Sequence, residues 1–126
     1  MYDIFIYEKT NGRSPFLDYL DELTSQNTKD SNIRLTKIRA YVKALSEKGH
    51  LLPVVMLEHL DGDIWELRPG KDRVLLAGWC NGSFVLLHCF IKKTQKTPQR
   101  EIEQAKNELE DFKQQRAAEA KKNGQN

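Results

Sequence analysis

From Ile64 onward the chain reads IWELR, PGKD, RVLLAGWC, NG, SFVLLHCFIKK, and this stretch constrains the fold more than any other. Three apolar runs of strand length are punctuated by Pro-Gly and Asn-Gly, the dipeptides that supply the left-handed backbone of tight turns. The pattern predicts an antiparallel meander. A two-residue Asn81-Gly82 loop pairs Cys80 with Ser83, and hence Trp79 with Phe84, Ala77 with Leu86, Leu75 with His88 and Arg73 with Phe90. The other face then carries Leu76 with Leu87, Gly78 with Val85 and Val74 with Cys89, all apolar or small, and is expected to pack against helices. A four-residue turn, Pro69–Asp72, sets Arg68 opposite Arg73 and Glu66 opposite Leu75. Arg68, Arg73, Glu66, His88, Phe90 and Lys92 thereby share one face, while Lys93 points away if the strand stays regular.

The flanking segments supply the rest of the fold. Tyr2–Glu8 alternates like a strand, and Asn11-Gly12 is a turn. Ser14-Pro15 opens a helix, with Ser14 as N-cap and Pro15 at the first position, where its missing N–H costs nothing. Leu17, Leu20 and Leu23 form its expected buried stripe. A second helix is predicted from about Asp30 to Lys48, buried through Ile38, Val42 and Leu45 with Ile33 and Tyr41 beside them, and ended by Gly49. Leu51–Leu60 reads as an apolar connection interrupted by Pro53. After Thr97-Pro98 a last helix carries Ile102, Ala105, Leu109 and Phe112 on one side. The expectation is an α+β domain of order β-α-α-β-β-β-α, with its helices on one face of the meander. It spans residues 1–116, and a tail from 117 to 126 is expected to fray.

Composition bounds the function. At 126 residues the chain suits one domain, and no apolar run approaches the ~20 residues that cross a bilayer. With no signal-peptide core at its start, a cytoplasmic location is the default. Cys80 and Cys89 would lie about 20 Å apart along the hairpin, so both are expected to be packed thiols. His50, His59 and His88 have no metal-ligand spacing. The net charge is only +2, but it is unevenly spread. Residues 64–100 hold seven bases against two acids, a net +5, and the remainder holds 13 against 16, a net −3. A basic segment in an otherwise acidic chain suits a polyanionic partner or, more blandly, a solvated charged face.

Directly opposed arginines repel. Arg68 and Arg73 therefore either grip a phosphate together or are neutralised by Glu66 and Asp72. His88 is either a packed strand residue or a general acid or base. Phe90 offers a base-stacking surface or rim packing.

The ordered set ELR, RV, LLHCF and KKTQKTP, within GDIWELRPGKDRVLLAGWCNGSFVLLHCFIKKTQKTPQREIEQAK, resembles the RelE/HigB toxin superfamily, and within it the phage-derived HigB-like branch. The resemblance covers about a third of the chain, and the upstream β-α-α order agrees with it. It implies a RelE-like fold and a toxin of a type II toxin–antitoxin pair that cleaves mRNA on the translating ribosome, as a metal-independent endoribonuclease with no organic cofactor. It also implies a neighbouring antitoxin, typically with a helix-turn-helix domain. Mapped onto this chain, Arg68 and Arg73 become the phosphate-binding pair, and Lys92, Lys93 and Lys96 hold RNA. Many members place a Tyr or His near the end of the site; no Tyr follows Tyr41, which leaves His88 as the candidate. Two other functions stay open: inhibition of DNA gyrase, as by ParE-type proteins of the same architecture, and noncatalytic binding of RNA or the ribosome.

Overall fold

A computed structural model describes residues 1–124. The elements follow in the order β1 (Ile4–Ile6), α1 (Pro15–Gln26), α2 (Lys29–Lys48), a 3-10 turn (Gly49–Leu51), β2 (Leu57–Asp61), β3 (Ile64–Leu67), β4 (Asp72–Trp79), β5 (Ser83–Ile91) and α3 (Gln99–Asn123). The expected α+β class holds. The sheet has five strands in the order β1-β5-β4-β3-β2, and β1 runs parallel to β5, so it is mixed. The additional strand is β2, formed within the segment read as a connection. Its residues LEHLD lack strong β-formers, and pairing with β3 through the Asp61–Gly62 turn supplies what propensity does not.

The helix boundaries follow local chemistry. Ser14 accepts the Leu17 N–H, with Pro15 at the first helical position. Thr28 and Ser31 cap α2 reciprocally, each side chain accepting the other's backbone N–H. Gly49 ends α2 at φ +55°, and a Cβ there would meet the Tyr2 ring at 2.7 Å. The predicted stripes shift slightly. Phe16 and Leu23 are buried in α1 whereas Leu17 is exposed, and Ile33 of α2 is also exposed.

Helices cover both faces of the sheet, not one. Phe16 and Leu23 of α1 and Leu35, Ile38 and Leu45 of α2 pack on Val74, Leu76, Phe84 and Leu86. On the opposite face Ala105, Leu109 and Phe112 of α3 pack on Leu75, Ala77, Val85 and Leu87. The signal lay in β4 and β5 themselves, whose VLLA and FVLL runs are apolar on both sides and require two covers. Val85 and Leu87 accordingly face α3 instead of α1 and α2.

The β4–β5 register explains that exchange. Trp79 pairs with Ser83, so the loop has three residues, with Asn81 and Gly82 both at positive φ. This shifts the pairing by one from Trp79 to Leu76. A bulge at Leu87 then restores it, and Leu75 meets His88, Val74 meets Cys89 and Arg73 meets Phe90. The two offsets cancel before the basic end of the sheet. There the pairings of Glu66 with Leu75 and Leu67 with Val74 place Arg68 opposite Arg73 across the Pro69–Asp72 turn.

Cys89 is buried, and Cys80, expected to be packed, is exposed at the hairpin tip. From residue 117 to Asn123, where fraying was expected, α3 continues with exposed side chains; the last two residues of that tail lie outside the described ones.

Candidate active site

At the end of the sheet opposite the Asn81 turn, β3, β4 and β5 and the Lys92–Pro98 loop surround a cleft roofed by the start of α3. Glu66, Arg68, Arg73, Phe90, Lys92, Lys93, Lys96, Thr97, Arg100 and Glu101 line it. It encloses about 40 Å³, far below the roughly 300–1,000 Å³ of pockets that surround a small molecule. The cleft is thus too small to enclose a ligand of that size.

Glu66 forms the floor. It is 1 % exposed, and its Oε1 lies 3.5 Å from Arg68 Nε and 3.8 Å from Arg73 Nε. The Thr97 hydroxyl donates to its Oε2, tying the KKTQKTP loop to β3. Arg68 also donates from Nη1 to Glu58 Oε2 at 2.7 Å. Arg73 is almost wholly buried, and its Nη1 donates to the carbonyls of Gly70 and Asp72 at 2.7 and 2.8 Å. Burial pulls the Arg73 guanidinium below its ordinary pKa, with Arg68 adding repulsion against the pull of Glu66. Gly70 adopts φ +67°, which presents its carbonyl to Arg73 at little conformational cost.

Asp72, the other expected neutraliser, turns to the opposite face. There its carboxylate accepts from Arg34 Nη2 at 2.7 Å, Arg34 Nε at 3.0 Å and the Tyr19 hydroxyl at 2.6 Å. Among the described residues the carboxylates within 4.0 Å of the arginine pair are those of Glu66 and Glu58, and Asp72 acts on Arg73 only at longer range. Lys92, Lys93, Lys96 and Arg100 stand exposed at the rim, and among the described residues none has a carboxylate within 4.0 Å. Lys93 joins them, contrary to expectation, because β5 ends at Ile91 and strand alternation no longer governs the chain beyond it. Phe90 is half-buried at the wall.

His88 is placed differently from the arginines. It is 3 % exposed and does not line the cleft. Its Nδ1 lies 2.6 Å from Glu108 Oε1 and its Nε2 3.0 Å from Glu101 Oε1. Burial disfavours the imidazolium, but the two carboxylates outweigh it, and the His88 pKa is raised. With a carboxylate oxygen at each nitrogen, the protonated ring can donate to both. Thr97, Arg100 and Glu101 also line the site without having been singled out; the only sequence sign of them was the KKTQKTP…EI pattern. Among the described residues no cluster of His, Cys, Asp and Glu is arranged to hold a metal ion, and no helix is long and apolar enough to cross a membrane.

Fold and site together define a small α+β protein with a cationic cleft of six basic side chains and two carboxylates at one end of its sheet. Residues 18–110 match the family model Phage derived protein Gp49-like (DUF891). The chain belongs to that family, which is associated with RelE-like toxins of toxin–antitoxin systems. No curated protein matches it.

Proposed function

We propose that this protein is the toxin of a type II toxin–antitoxin pair and acts as a metal-independent endoribonuclease on mRNA at the translating ribosome, in the manner of the HigB-like branch of RelE-type toxins. The observation that carries this reading is the pairing of Arg68 and Arg73 over a single buried carboxylate, beneath a rim of exposed cations. Among the described residues Nη2 of Arg73 carries no hydrogen bond, so a fixed donor remains for a ligand oxygen. Attack of a ribose 2′-hydroxyl on the adjacent phosphate builds negative charge on phosphorus-bound oxygens. Preorganised guanidiniums stabilise that charge most effectively where water is scarce. Lys92, Lys93 and Lys96 would hold the flanking backbone of mRNA or ribosomal RNA, and Phe90 would offer a ring to a base. The products would be a 2′,3′-cyclic phosphate and a 5′-hydroxyl. A cognate antitoxin, of the helix-turn-helix HigA-like type, would silence the toxin in the cytoplasm.

The test is controlled expression followed by mapping of transcript 5′ ends, beside the Arg73→Ala variant. New 5′ ends that vanish in the variant are expected. Unchanged 5′ ends with a DNA-damage response would favour gyrase inhibition, and toxicity with intact transcripts and no damage response would favour noncatalytic ribosome binding.

A further inference from the structure

Two carboxylates line the cleft, and they are not equivalent. Glu66 is buried, with one oxygen between two guanidiniums and the other accepting from Thr97. It is 1 % exposed, and its charge is held by the two guanidiniums. Glu101, in the first turn of α3, has a side chain 17 % exposed and reaches the cleft. Only its Oε1 is engaged, by His88, and among the described residues Oε2 carries no hydrogen bond. Its backbone N–H bonds the Pro98 carbonyl at 3.0 Å, which fixes the first turn, and the positive end of the helix suits a carboxylate there. His88 itself is enclosed, with both ring nitrogens occupied.

Resting on the ribonuclease reading, we propose that Glu101 is the group that takes the proton from the attacking 2′-hydroxyl, and that His88 is its positioning residue, held in turn by Glu108. The Glu101 Oε2 accepts the proton as the 2′-oxygen forms its bond to phosphorus. The P–O5′ bond breaks, and its electron pair passes to the 5′-oxygen, which takes a proton from a protonated lysine of the rim. The 5′-hydroxyl and 2′,3′-cyclic phosphate leave, and solvent exchange resets both protein groups. The Glu108–His88–Glu101 chain confines Oε1 and leaves Oε2 as the accessible lone pair. The charged and titratable groups along the cleft and around His88 are Glu101 and Glu108 of α3, Glu66 of β3 and Arg68 just after it, Arg73 of β4, Lys92, Lys93, Lys96 and Arg100 of the loop and helix start, and Tyr7, which follows β1 and feels the charge of Glu108.

The measurement is single-turnover cleavage of a labelled mRNA in purified elongation complexes, with complex binding and thermal melting followed in parallel. Glu101→Gln is expected to stay folded and bind like wild type, melting somewhat lower because His88 loses one of its two carboxylates, but to cleave about 10²–10³-fold more slowly, the range of a lost general base. Glu101→Asp should recover part of the rate. His88→Gln removes the charged contact that holds Glu101 Oε1, so the single-turnover rate should fall well below wild type while binding to the elongation complex is unchanged, and His88→Gln should cost no further rate in the Glu101→Gln background. A purely structural histidine would lower the melting temperature but leave the rate of the folded protein in place. If Arg73→Ala is inactive while Glu101→Gln cleaves within about threefold of wild type, Glu101 is not the base although the ribonuclease reading stands. A folded His88→Gln that cleaves at the wild-type rate would remove the positioning role. If the wild-type protein leaves the mRNA intact, the ribonuclease reading fails and this assignment fails with it.

Discussion

His88 of β5 and Glu108 of α3 meet at 2.6 Å in a buried contact, and Glu101 closes the other side of the same ring at 3.0 Å. Three ionisable side chains thus fasten the third helix to the sheet beside the Ile102, Ala105, Leu109 and Phe112 stripe. The bulge at Leu87 makes this possible, because it restores the register in which His88 faces α3.

A pH dependence of stability follows. The folded-state pKa of His88 is raised above its ordinary 6.5 by Glu108 and Glu101 against the opposing effect of burial. The unfolded chain therefore loses its proton first. The stabilisation is fully present below about pH 6.5 and is lost as pH rises through the higher folded value. Melting curves of wild type and His88→Gln between pH 6 and 9 should show a decline in the wild type that the variant lacks. Parallel profiles would mean that the ring is not held as the imidazolium.

The Arg34–Asp72 pair predicts a second, purely structural effect. Asp72 is fully buried and Arg34 nearly so, and Tyr19 completes the cluster under α1 and α2. Replacing Arg34 with Met leaves a buried carboxylate uncompensated, at a cost of about 3–5 kcal/mol. Arg13 and Asp18 are also bonded, at 3.1 Å, but are largely exposed, and Arg13→Ala should change stability by at most about 1 kcal/mol. Urea midpoints at constant slope would separate the two.

Much of this architecture was legible because its signals are local. Ser14-Pro15 marks the start of α1, Gly49 the end of α2, and the two turn dipeptides the hairpins. The pairing of Arg73 with Phe90 was also readable, though only because the three-residue loop at Asn81 and the bulge at Leu87 compensate one another. β2 was not legible, since its strand state comes from pairing with β3 and not from LEHLD itself. Nor was the role of Glu101 or Glu108. Each looks in sequence like a solvated acid of a charged helix, and only the placement of α3 over the His88 face gives them a partner. The exchange of Asp72 for Glu58 as counter-ion to the arginines has the same origin, because Glu58 lies on the strand that was missed.

The rim makes a quantitative prediction for RNA affinity. Each cation that contacts a phosphate of a single strand contributes about 0.7 to the slope of log K against log salt. With the Arg73→Ala background used to prevent cleavage, Lys92→Ala, Lys93→Ala and Lys96→Ala should each lower that slope by about this amount on a labelled oligoribonucleotide. Lys93 is the informative one. A regular strand would have turned it away, whereas the chain beyond Ile91 brings it to the cleft. An unaltered slope in Lys93→Ala would exclude it from the phosphate track.

The last prediction asks what the two arginines are for. In the resting protein they share Glu66, which neutralises them in part, and a phosphate group would bring further charge to the same place. Glu66→Gln keeps the shape but removes the buried charge, so Arg73 loses its nearest carboxylate, Arg68 keeps only Glu58, and the fold is weakened. If the pair is a phosphate site, an anion should restore what the mutation removes. Adding inorganic phosphate to the variant, against chloride at equal ionic strength, should raise its melting temperature more than that of wild type. The stabilisation should follow the logarithm of phosphate concentration once the site is filled, reaching about 2.7 kcal/mol at a hundredfold excess over the dissociation constant. Equal responses to phosphate and chloride would identify the arginine pair as a structural ion cluster, satisfied by Glu66 and Glu58, and would remove the support it gives to phosphoryl chemistry.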